Sequence, residues 1–449
     1  MIEEPARATP VAAEVDVLVV GGGTAGVTAA LAAAQAGCRV LVLEELSLLG
    51  GTQTGALVTP MMRNHLGEEP LTRGLNEAIL ARTAELFPWP TKSPNDRLWF
   101  DPVALSMALD DLLAEPGVDV RFETRCSSAL VRDGSMAGVV AESPGGRTAY
   151  LAKVVIDCTG DADVAVLAGA PYSEGDEEGR NQPMSLRFTL AGVMIDRAAE
   201  GFAARGVACE PPLLHVGFHE ASTSPIADLV AQAEAEGTLE RGDLGYFQFF
   251  SMLGRPGELA FNCPRLTGYR PTDVADRSRA LRDGRRKVRR IAAFCRRHLP
   301  GFEESYLASV ASMLGVRESR RILGDYVLTQ EDVLSGARFG DGIARNNYPI
   351  DIHHTRGRGT TLKQLPDGEY HDIPYRCLLP QRVEQLLVAG RCLSATFEAQ
   401  AAARIQANCR AMGEAAGTAA ALALERGTTV RGLDTEELRA RLRARGAEV

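Results

Sequence analysis

The sequence predicts an α/β fold in which a parallel sheet is assembled from separated parts of the chain and carries a second, inserted α+β domain. Three observations support this prediction. The chain has 449 residues, which is too many for one ordinary hydrophobic core. A strand, a glycine-rich turn and a helix follow one another between residues 16 and 36. Continuous apolar strands, typical of a sheet covered on both faces, recur near residues 154–158 and 385–390.

Composition and charge exclude several classes of protein. Hydrophobic residues make up 45% and charged residues 24%, as in a globular chain rather than a disordered one. The formal net charge of −9 argues against a dedicated nucleic-acid binder, because phosphate contacts need a basic excess. No apolar stretch approaches the ~20 residues that span a bilayer, and the N-terminus lacks the apolar run of a secretory signal. We therefore expect a soluble, cytoplasmic protein that binds neither nucleic acid nor a membrane.

Cysteine and histidine spacing gives no support for a metal site. The nine cysteines are scattered singly without a CxxC pair, so we predict neither a disulfide framework nor a zinc site. His215 and His219 are four residues apart, but a helix is doubtful there and no third ligand is evident. We interpret them as ordinary polar side chains.

The strongest motif follows the first strand. Residues 1–14 are short of apolar groups and are predicted to form a disordered tail, after which Asp16–Val20 is a buried strand. Its end carries a GxGxxG motif: the first glycine permits a tight turn, the second lets the backbone approach a pyrophosphate, and the third lets the next helix pack closely. We assign this motif to dinucleotide binding through Gly21, Gly23, Thr24, Ala25 and Gly26.

An acidic residue completes the pattern. A helix over 24–36 ends at Gly37, and a second buried strand over 39–43 leads into Glu44 and Glu45. An acid about twenty residues past the glycines accepts hydrogen bonds from a ribose diol, and Glu44 is the preferred candidate over Glu45. The alternative is an ordinary glycine turn in a parallel α/β protein.

The motif alone fits either FAD or NAD, and three further segments favour FAD. Leu49–Gly55 is rich in glycine and could wrap an extended cofactor; Val154–Asp163 is a strand that runs into a Gly-Asp turn. Gln385–Cys392 is a strand that ends in glycine, and a small-residue helix follows at about 403–424. These segments add Gly50, Gly51, Thr52, Gly160, Asp161, Gly390 and Arg391 to the cofactor site. No second GxGxxG motif follows a strand, so the electron acceptor or donor is expected to be external.

Several blocks resemble a known family. They are Gly315–Ile322, Tyr348–His353, Ile373–Pro380, Leu387–Thr396 and Met412–Ala421. In these blocks the chain is similar to FAD-dependent oxidoreductases related to the succinate dehydrogenase and fumarate reductase flavoproteins, and more closely to their soluble single-chain branch. The likeness is weak between about residues 191 and 272.

The resemblance implies a fold and an activity. The expected fold is a Rossmann-type FAD-binding domain of the glutathione-reductase-like kind with an inserted substrate or cap domain. The expected activity is hydride transfer between a small organic substrate and flavin N5. By the same resemblance, the helix that contains Ala407 and Asn408 approaches the ribityl chain and the ring. Two alternatives stay open: a protein that keeps flavin for a structural or non-redox role, and an NAD-dependent oxidoreductase.

After the tail we expect three parts along the chain. Residues 15–170 and 376–430 form a discontinuous FAD-binding domain, residues 171–375 form the substrate domain, and residues 431–449 form a C-terminal helix. Within the substrate domain, 184–190 and 246–252 alternate polar and apolar residues, as half-exposed strands do. A helix over 275–299 shows an apolar stripe and a basic face, which we interpret as solvated.

Four residues are candidates for the chemistry. Arg317 and Arg320 could anchor an anionic substrate or offset the charge of reduced flavin, although a structural network with Glu318 explains them equally well. His353 matches a family block and titrates near neutral pH, so it is the leading acid or base. Arg404 is a further anchor, with a structural ion pair as its alternative.

Two positions leave questions open. The family often has His-Glu-Ala where this chain has Phe397-Glu398-Ala399, so a proton-transfer role at that position would have to pass to another residue. Noncovalent flavin binding is preferred, with covalent attachment through His65 or a cysteine as the alternative. The substrate, the direction of the reaction and the oligomeric state are not predicted.

Overall fold

The structure, a computed structural model, describes residues 2, 7–87, 98–356 and 359–449. The first part of the chain contains, in order, β1 (Val11–Val20), α1 (Thr24–Gln35), β2 (Val40–Leu43), β3 (Pro60–Met61), β4 (His65–Leu66), β5 (Glu69–Pro70), α2 (Leu75–Leu86), β6 (Leu98–Trp99), α3 (Pro102–Ala114), β7 (Asp119–Arg121), β8 (Arg125–Arg132), β9 (Ser135–Ser143), β10 (Gly146–Asp157) and α4 (Asp163–Leu167). The middle part contains β11 (Tyr172–Glu174), β12 (Met184–Ser185), β13 (Phe188–Ala191), α5 (Ile195–Ala203), β14 (His215–Phe218), α6 (Ala227–Ala235), β15 (Phe247–Ser251), β16 (Leu259–Phe261), β17 (Arg265–Leu266), α7 (Val274–His298), β18 (Tyr306–Val310) and β19 (Arg320–Ile322). The last part contains α8 (Gln330–Ser335), β20 (Gly342–Asn346), β21 (Ile350–His353), β22 (Thr360–Lys363), β23 (His371–Pro374), β24 (Leu386–Val388), α9 (Phe397–Ala403), α10 (Gln406–Arg426) and α11 (Thr435–Ala444).

The largest sheet has the predicted discontinuous origin. Strands β7, β2, β1, β10 and β24 lie side by side and parallel, and β9 and β8 extend the sheet in antiparallel fashion from β10. Strand β24 comes from the far end of the chain, and its Leu387 pairs with Ile156 of β10. The α/β fold with a parallel sheet of Rossmann type is confirmed.

Two helices rich in small residues cover one face of this sheet. Helices α1 and α10 share one hydrophobic core, and two glycines of α10 allow a close contact between them. A Cβ atom at Gly413 would lie 2.0 Å from the carbonyl oxygen of Ala25, and one at Gly417 would lie 2.1 Å from that of Ala29. Only glycine at these two positions allows the backbones to approach so closely.

A second, antiparallel sheet forms the cap. Its strands are ordered β14, β15, β16, β13 and β18, and a cluster of phenylalanines packs between this sheet and helix α7. The predicted helix over 275–299 corresponds to α7, and Val288, Ile291 and Cys295 of its apolar stripe are buried.

The alternating segments of the cap are not half-exposed, contrary to the sequence prediction. Every residue from 184 to 190 and from 247 to 252 is buried. One face of these strands packs on the phenylalanine cluster, and polar residues of the other face, such as Arg187 and Gln248, line an internal cavity. The alternating side chains therefore face an apolar core on one side of the strands and a polar cavity, instead of solvent, on the other.

Three further expectations need correction or refinement. Residues 11–14 belong to β1 and not to a disordered tail, because β10 is long enough to pair with them (Val11 with Ala149); residues 1 and 3–6 of that tail lie outside the described residues. The helix expected at 403–424 is α10, which begins only at Gln406 because the chain is extended at Ile405 (φ −63°, ψ 153°) between α9 and α10. The C-terminal helix expected within 431–449 is α11.

The substrate-domain boundaries remain a prediction. Strands β20, β21 and β23 contribute Ile343, Ile350 and Ile373 to the same hydrophobic core as α1 and α10. This part of the predicted substrate domain thus packs with the main sheet. Of the described helices, none combines the length and the apolar character that a membrane span requires.

Candidate active site

A cavity of about 540 Å³ lies where the parallel strands end. The residues that follow β1, β2, β10 and β24 form its floor, and the cap sheet forms its opposite wall. In open parallel sheets, ligands bind at this carboxyl edge, because the loops and helix N-termini there converge.

The glycine motif shapes the floor as its spacing predicts. Gly21 has φ +99°, and a Cβ there would lie 2.5 Å from the carbonyl oxygen of Cys158. A Cβ at Gly26 would lie 1.8 Å from the carbonyl oxygen of Gly21, so this glycine sets the distance between helix and strand. Gly23 is different: its φ is −75°, and the nearest atom to a Cβ there is 3.8 Å away. Gly21, Gly23, Thr24 and Ala25 line the cavity, whereas Gly26 lies behind them.

Gly23 also leaves the helix N-terminus open. It is the N-cap of α1 and has no side chain that could accept from the first-turn N–H groups. These groups stand at the cavity floor, where the positive end of the helix dipole favours an anionic group such as a pyrophosphate. The cradle therefore fits the diphosphate of a dinucleotide.

A second glycine loop touches the first. Gly50 and Gly51 have φ values of +92° and +56°, and a Cβ at Gly51 would lie 2.9 Å from Cα of Gly23. Gly51 and Thr52 line the cavity, and Gly50 holds the two loops together by donating its N–H to the carbonyl oxygen of Gly22 at 2.9 Å.

The two acidic candidates occupy different environments. Glu44 is buried and accepts backbone hydrogen bonds from Gly22 at 2.6 Å and Leu46 at 2.8 Å. Burial raises the pKa of Glu44 to about 7, against the lowering effect of these hydrogen bonds. Glu45 is exposed and lies 3.7 Å from Arg125. Both line the cavity, and Glu44 is the one held in a fixed position.

An ion pair joins the loops after β10 and β24. Arg391 donates to Asp161 at 2.5 Å and to the carbonyl oxygen of Val316 at 3.2 Å. Burial alone would raise the pKa of Asp161, but Arg391 and Ser319 hold it below its ordinary value. Gly160 leaves room for this pair, since a Cβ there would lie 3.0 Å from the guanidinium carbon of Arg391.

The start of α10 reaches the cavity, but with other residues than expected. Gly160, Asp161, Gly390 and Arg391 line the cavity, and so do Ile405, Gln406 and Cys409 near the start of α10. Ala407 and Asn408 are buried in the first turn of α10 and are not among the residues that line the cavity; Asn408 accepts from Asn64 at 3.1 Å.

Four arginines form a cationic wall, defined as Arg187, Arg265, Arg317 and Arg404. Their partners are neutral oxygens: Leu57 O for Arg187 (3.4 Å), Gly359 O and Thr360 Oγ1 for Arg265 (3.1 and 3.0 Å), Pro183 O and Ser185 Oγ for Arg317 (2.6 and 2.7 Å), and Asp351 O for Arg404 (3.4 Å). Within the described part of the chain, no carboxylate forms an ion pair with any of the four.

The lowered pKa values of two of these arginines show that burying their charges is unfavourable. Burial lowers the pKa of Arg187 to about 10. Burial, followed by repulsion from Arg265 and Arg404, lowers the pKa of Arg317 well below its ordinary range. Asp351 also lines the cavity and offsets these charges in part without forming an ion pair with them. Buried cations that lack a direct ion-pair partner are unfavourable, and an anion that entered the cavity would relieve this.

His353 stands beside the cationic wall. It is buried, its Nε2 lies 3.5 Å from Asp351 Oδ2, and its Nδ1 lies 3.3 Å from Thr360 Oγ1. Burial, and then the charges of Arg317 and Arg265, lower the pKa of His353 well below its usual value. The imidazole is therefore neutral near pH 7. Tyr348 also lines the cavity and donates to Asp351 at 3.1 Å.

Three other candidates lie away from the cavity wall. Arg320 pairs with Asp163 and does not line the cavity. Phe397 is buried at the start of α9, with its ring 5.7 Å from the guanidinium of Arg321. His65, in β4, is not among the lining residues.

Sequence reasoning missed the polar face of the cap sheet. His215, His219, Tyr246, Gln248 and Asn262 line the cavity, although the two histidines were interpreted as ordinary polar side chains. The alternation in 246–252 was the available signal, but a polar residue inside a strand does not reveal whether solvent or a cavity faces it. The described residues hold no group of three or more His, Cys, Asp or Glu side chains that could bind a metal ion.

Comparison with known proteins identifies a family. The model of the family described as FAD dependent oxidoreductase matches residues 16–442. Digeranylgeranylglycerophospholipid reductase 2 of Methanopyrus kandleri is 32% identical over 199 residues, which are 42% of this chain and 48% of that protein. Thiamine thiazole synthase of Methanococcus aeolicus is 32% identical over 163 residues, which are 34% of this chain and 57% of that protein. The chain thus spans about half the length of the curated relatives it matches.

Solved structures resemble it more distantly. A geranylgeranyl bacteriochlorophyll reductase-like protein from Thermoplasma acidophilum is 14% identical, with 96% of this chain and 84% of that chain covered and a TM-score of 0.46. The p-nitrophenol 4-monooxygenase of Pseudomonas putida is 13% identical, with 93% and 82% covered and a TM-score of 0.46.

Proposed function

The chain belongs to the FAD dependent oxidoreductase family, and we propose that it transfers a hydride between a small anionic organic substrate and flavin N5. FAD is its cofactor. The cationic wall is the observation that carries the choice of substrate charge: four arginines converge on one cavity, and their partners are neutral oxygens. A carboxylate or phosphate would supply the ion-pair partner that these arginines lack, and guanidinium groups bind both in a bidentate manner.

The chemical groups on the floor of the cavity support a position for the cofactor. The first-turn amides of α1 would hold the diphosphate, Glu44 would accept from a ribose hydroxyl, and the loops at Gly51 and Gly390 would flank the rest of the molecule. When bound, FAD supplies a two-electron centre that accepts or returns a hydride at N5. The arginines between this floor and the cap would orient the substrate and exclude alternatives of the wrong charge.

His353 would accept or donate the proton that accompanies hydride transfer. In the free cavity it is neutral, and the fields of Arg317 and Arg265 oppose its protonation. A bound anion offsets these fields, so the basicity of His353 rises when substrate is present. Tyr348, held by Asp351, is the second group in reach of the cavity that could exchange a proton.

The proposal covers both directions of the reaction. The same anchors and proton carrier serve oxidation and reduction, because the two directions share one transition state. The relatives that match in sequence include a reductase and a thiazole synthase, so they favour neither direction. We place the electron partner outside the chain, where an external acceptor or donor would reach the flavin.

Anaerobic visible spectroscopy tests this function. We expect the purified protein to carry FAD and its absorption near 450 nm to shift or bleach on addition of small carboxylates or phosphates, and not on addition of amines of similar size. A flavin that responds to amines and to no anion would contradict the proposal.

An arginine variant separates anion binding from general damage. Arg404→Met removes one member of the cationic wall, and we expect the affinity for a responding anion to fall at least about tenfold, as for loss of a charge-assisted hydrogen bond of ~1.5–3 kcal/mol. Arg285→Met, on the exposed face of α7, is the matched control and should leave that affinity unchanged. Equal losses in both variants would argue against the assigned role of Arg404.

A further inference from the structure

The cap wall of the cavity carries a network of hydrogen-bonded polar side chains beside the arginines. Gln248 is its centre: its Oε1 accepts from the Tyr246 hydroxyl at 2.9 Å and from Asn262 Nδ2 at 2.7 Å, and its Nε2 lies 3.0 Å from His215 Nε2. Gly217 lies opposite Gln248 on the neighbouring strand, and a Cβ there would come within 3.2 Å of Gln248 Nε2. These hydrogen bonds hold the Gln248 amide in place, and the missing side chain of Gly217 leaves room for it.

This network determines which hydrogen-bonding groups of Tyr246 remain available to a ligand. The hydroxyl hydrogen of Tyr246 is donated to Gln248, so only oxygen lone pairs remain for a further partner. The guanidinium carbon of Arg265 lies 4.0 Å from the centre of the Tyr246 ring, so a cationic donor group stands next to this acceptor. Since the four arginines of the cationic wall are donors without any acceptor, Tyr246 provides an acceptor beside them.

A plain anion cannot use both kinds of group. A carboxylate or phosphate on a hydrocarbon chain accepts from the arginines but has no hydrogen for the Tyr246 oxygen. A hydroxyl group can donate to Tyr246 and accept from Arg265 at once. An ammonium group could also donate, but the field of Arg187, Arg265 and Arg317 repels cations.

We propose that the substrate is a hydroxylated organic anion and that the Tyr246–Gln248 pair selects its hydroxyl group. This inference rests on the proposed function, because it takes the anion on the arginines as given. It adds a second requirement, a hydroxyl placed at the distance that separates the cationic wall from the cap network. The side chains of His215 and Asn262 extend the same surface and suit further hydroxyl groups.

Matched ligand pairs test the selection on the FAD-bound protein. The probes are lactate against propionate and gluconate against hexanoate, which differ in hydroxyl groups and share the carboxylate. Dissociation constants come from the concentration dependence of the flavin spectral change, whether a shift or bleaching. We expect the hydroxylated member of at least one pair to bind about fivefold or more tightly, as for one net hydrogen bond.

A variant assigns the effect to one oxygen atom. Tyr246→Phe keeps the ring beneath Arg265 and removes the acceptor, so it should weaken the preferred hydroxylated ligand about fivefold and leave its unhydroxylated partner unchanged. Tyr306→Phe, at an exposed tyrosine of the cap-sheet edge strand β18, is the control and should change neither.

The outcomes of these experiments distinguish a failure of this inference from a failure of the proposed function. If propionate and hexanoate bind as tightly as their hydroxylated partners, or if Tyr246→Phe weakens both members equally, the selection is overturned while the anion-binding function stands. If no carboxylate changes the flavin spectrum, the proposed function fails and the inference with it.

Discussion

At the scale of single residues, burial separates side chains that look alike in the sequence. Glu44 and Glu45 are adjacent acids, yet one is enclosed by backbone N–H groups and the other meets solvent. Arg317 and Arg320 belong to one short block, yet Arg317 faces the cavity while Arg320 is neutralised by Asp163. The surroundings of each side chain, and not its type, decide which one can meet a ligand.

The raised pKa of Glu44 leads to a prediction about cofactor binding. Burial raises this pKa to about 7 in the free protein, so the carboxyl group takes up a proton as the pH falls below 7. Ribose hydroxyls donate to the ionised form, and protonation therefore opposes FAD binding. We expect the Kd of the apoprotein for FAD to rise as pH falls from 7, with a limiting slope of about tenfold per pH unit.

Two variants test that assignment. Glu44→Gln should bind FAD more weakly at pH 8 and lose the pH dependence between 6 and 8. Glu45→Gln, at the exposed neighbour, should keep it. Fluorescence titration of the apoprotein measures both, and an unchanged slope in Glu44→Gln would show that another group is responsible.

At the scale of elements, the contact between α1 and α10 determines how the floor of the cavity is arranged. The small residues of both helices let their backbones meet, and this contact fixes the start of α10 beside the glycine motif that begins α1. The same residue type serves two purposes here. Gly417 makes room for a helix, whereas Gly23 makes room for a ligand.

Substituting each glycine by alanine should separate the two purposes. Gly417→Ala should lower the free energy of unfolding by about 1–3 kcal/mol through overpacking against Ala29, even though alanine favours helices more than glycine does. Gly23→Ala should leave that free energy within about 0.5 kcal/mol and weaken FAD binding instead, because its Cβ enters the cavity and the nearest protein atom, Cα of Gly51, is 3.8 Å away. Urea unfolding of the apoproteins and FAD titration give the two readouts. A destabilised Gly23→Ala with normal FAD affinity would reverse the interpretation.

At the scale of the whole molecule, the cap must stay attached to the main sheet for the cavity to exist. Trp99 packs against Phe250 of the cap, and beside it Arg255 of the cap binds Asp101 at 2.6 and 3.1 Å. Asp101 also caps helix α3 by accepting from Val103 and Ala104. A single buried carboxylate thus ties a cap turn to a helix of the cofactor-binding part.

Breaking this tie should cost stability. Arg255→Met leaves Asp101 buried without its cation, and we expect the free energy of unfolding to fall by about 1–3 kcal/mol, since Arg255 itself is partly exposed. Arg197→Met removes an exposed pair with Glu303 and should cost less than about 1 kcal/mol. Urea unfolding compares the two, and equal losses would mean that Asp101 does not depend on Arg255.

The sequence by itself determined the parts whose physics is local. A left-handed turn at Gly21, a close helix contact at Gly26 and an apolar strand before them leave their marks within a few residues, so the motif, the α/β class and the cofactor could be predicted. Only the tertiary structure decided the substrate side. Whether Arg187, Gln248 or His215 faces solvent, a core or a cavity depends on which distant segment covers that face of the strand, and no neighbour in the sequence carries this information.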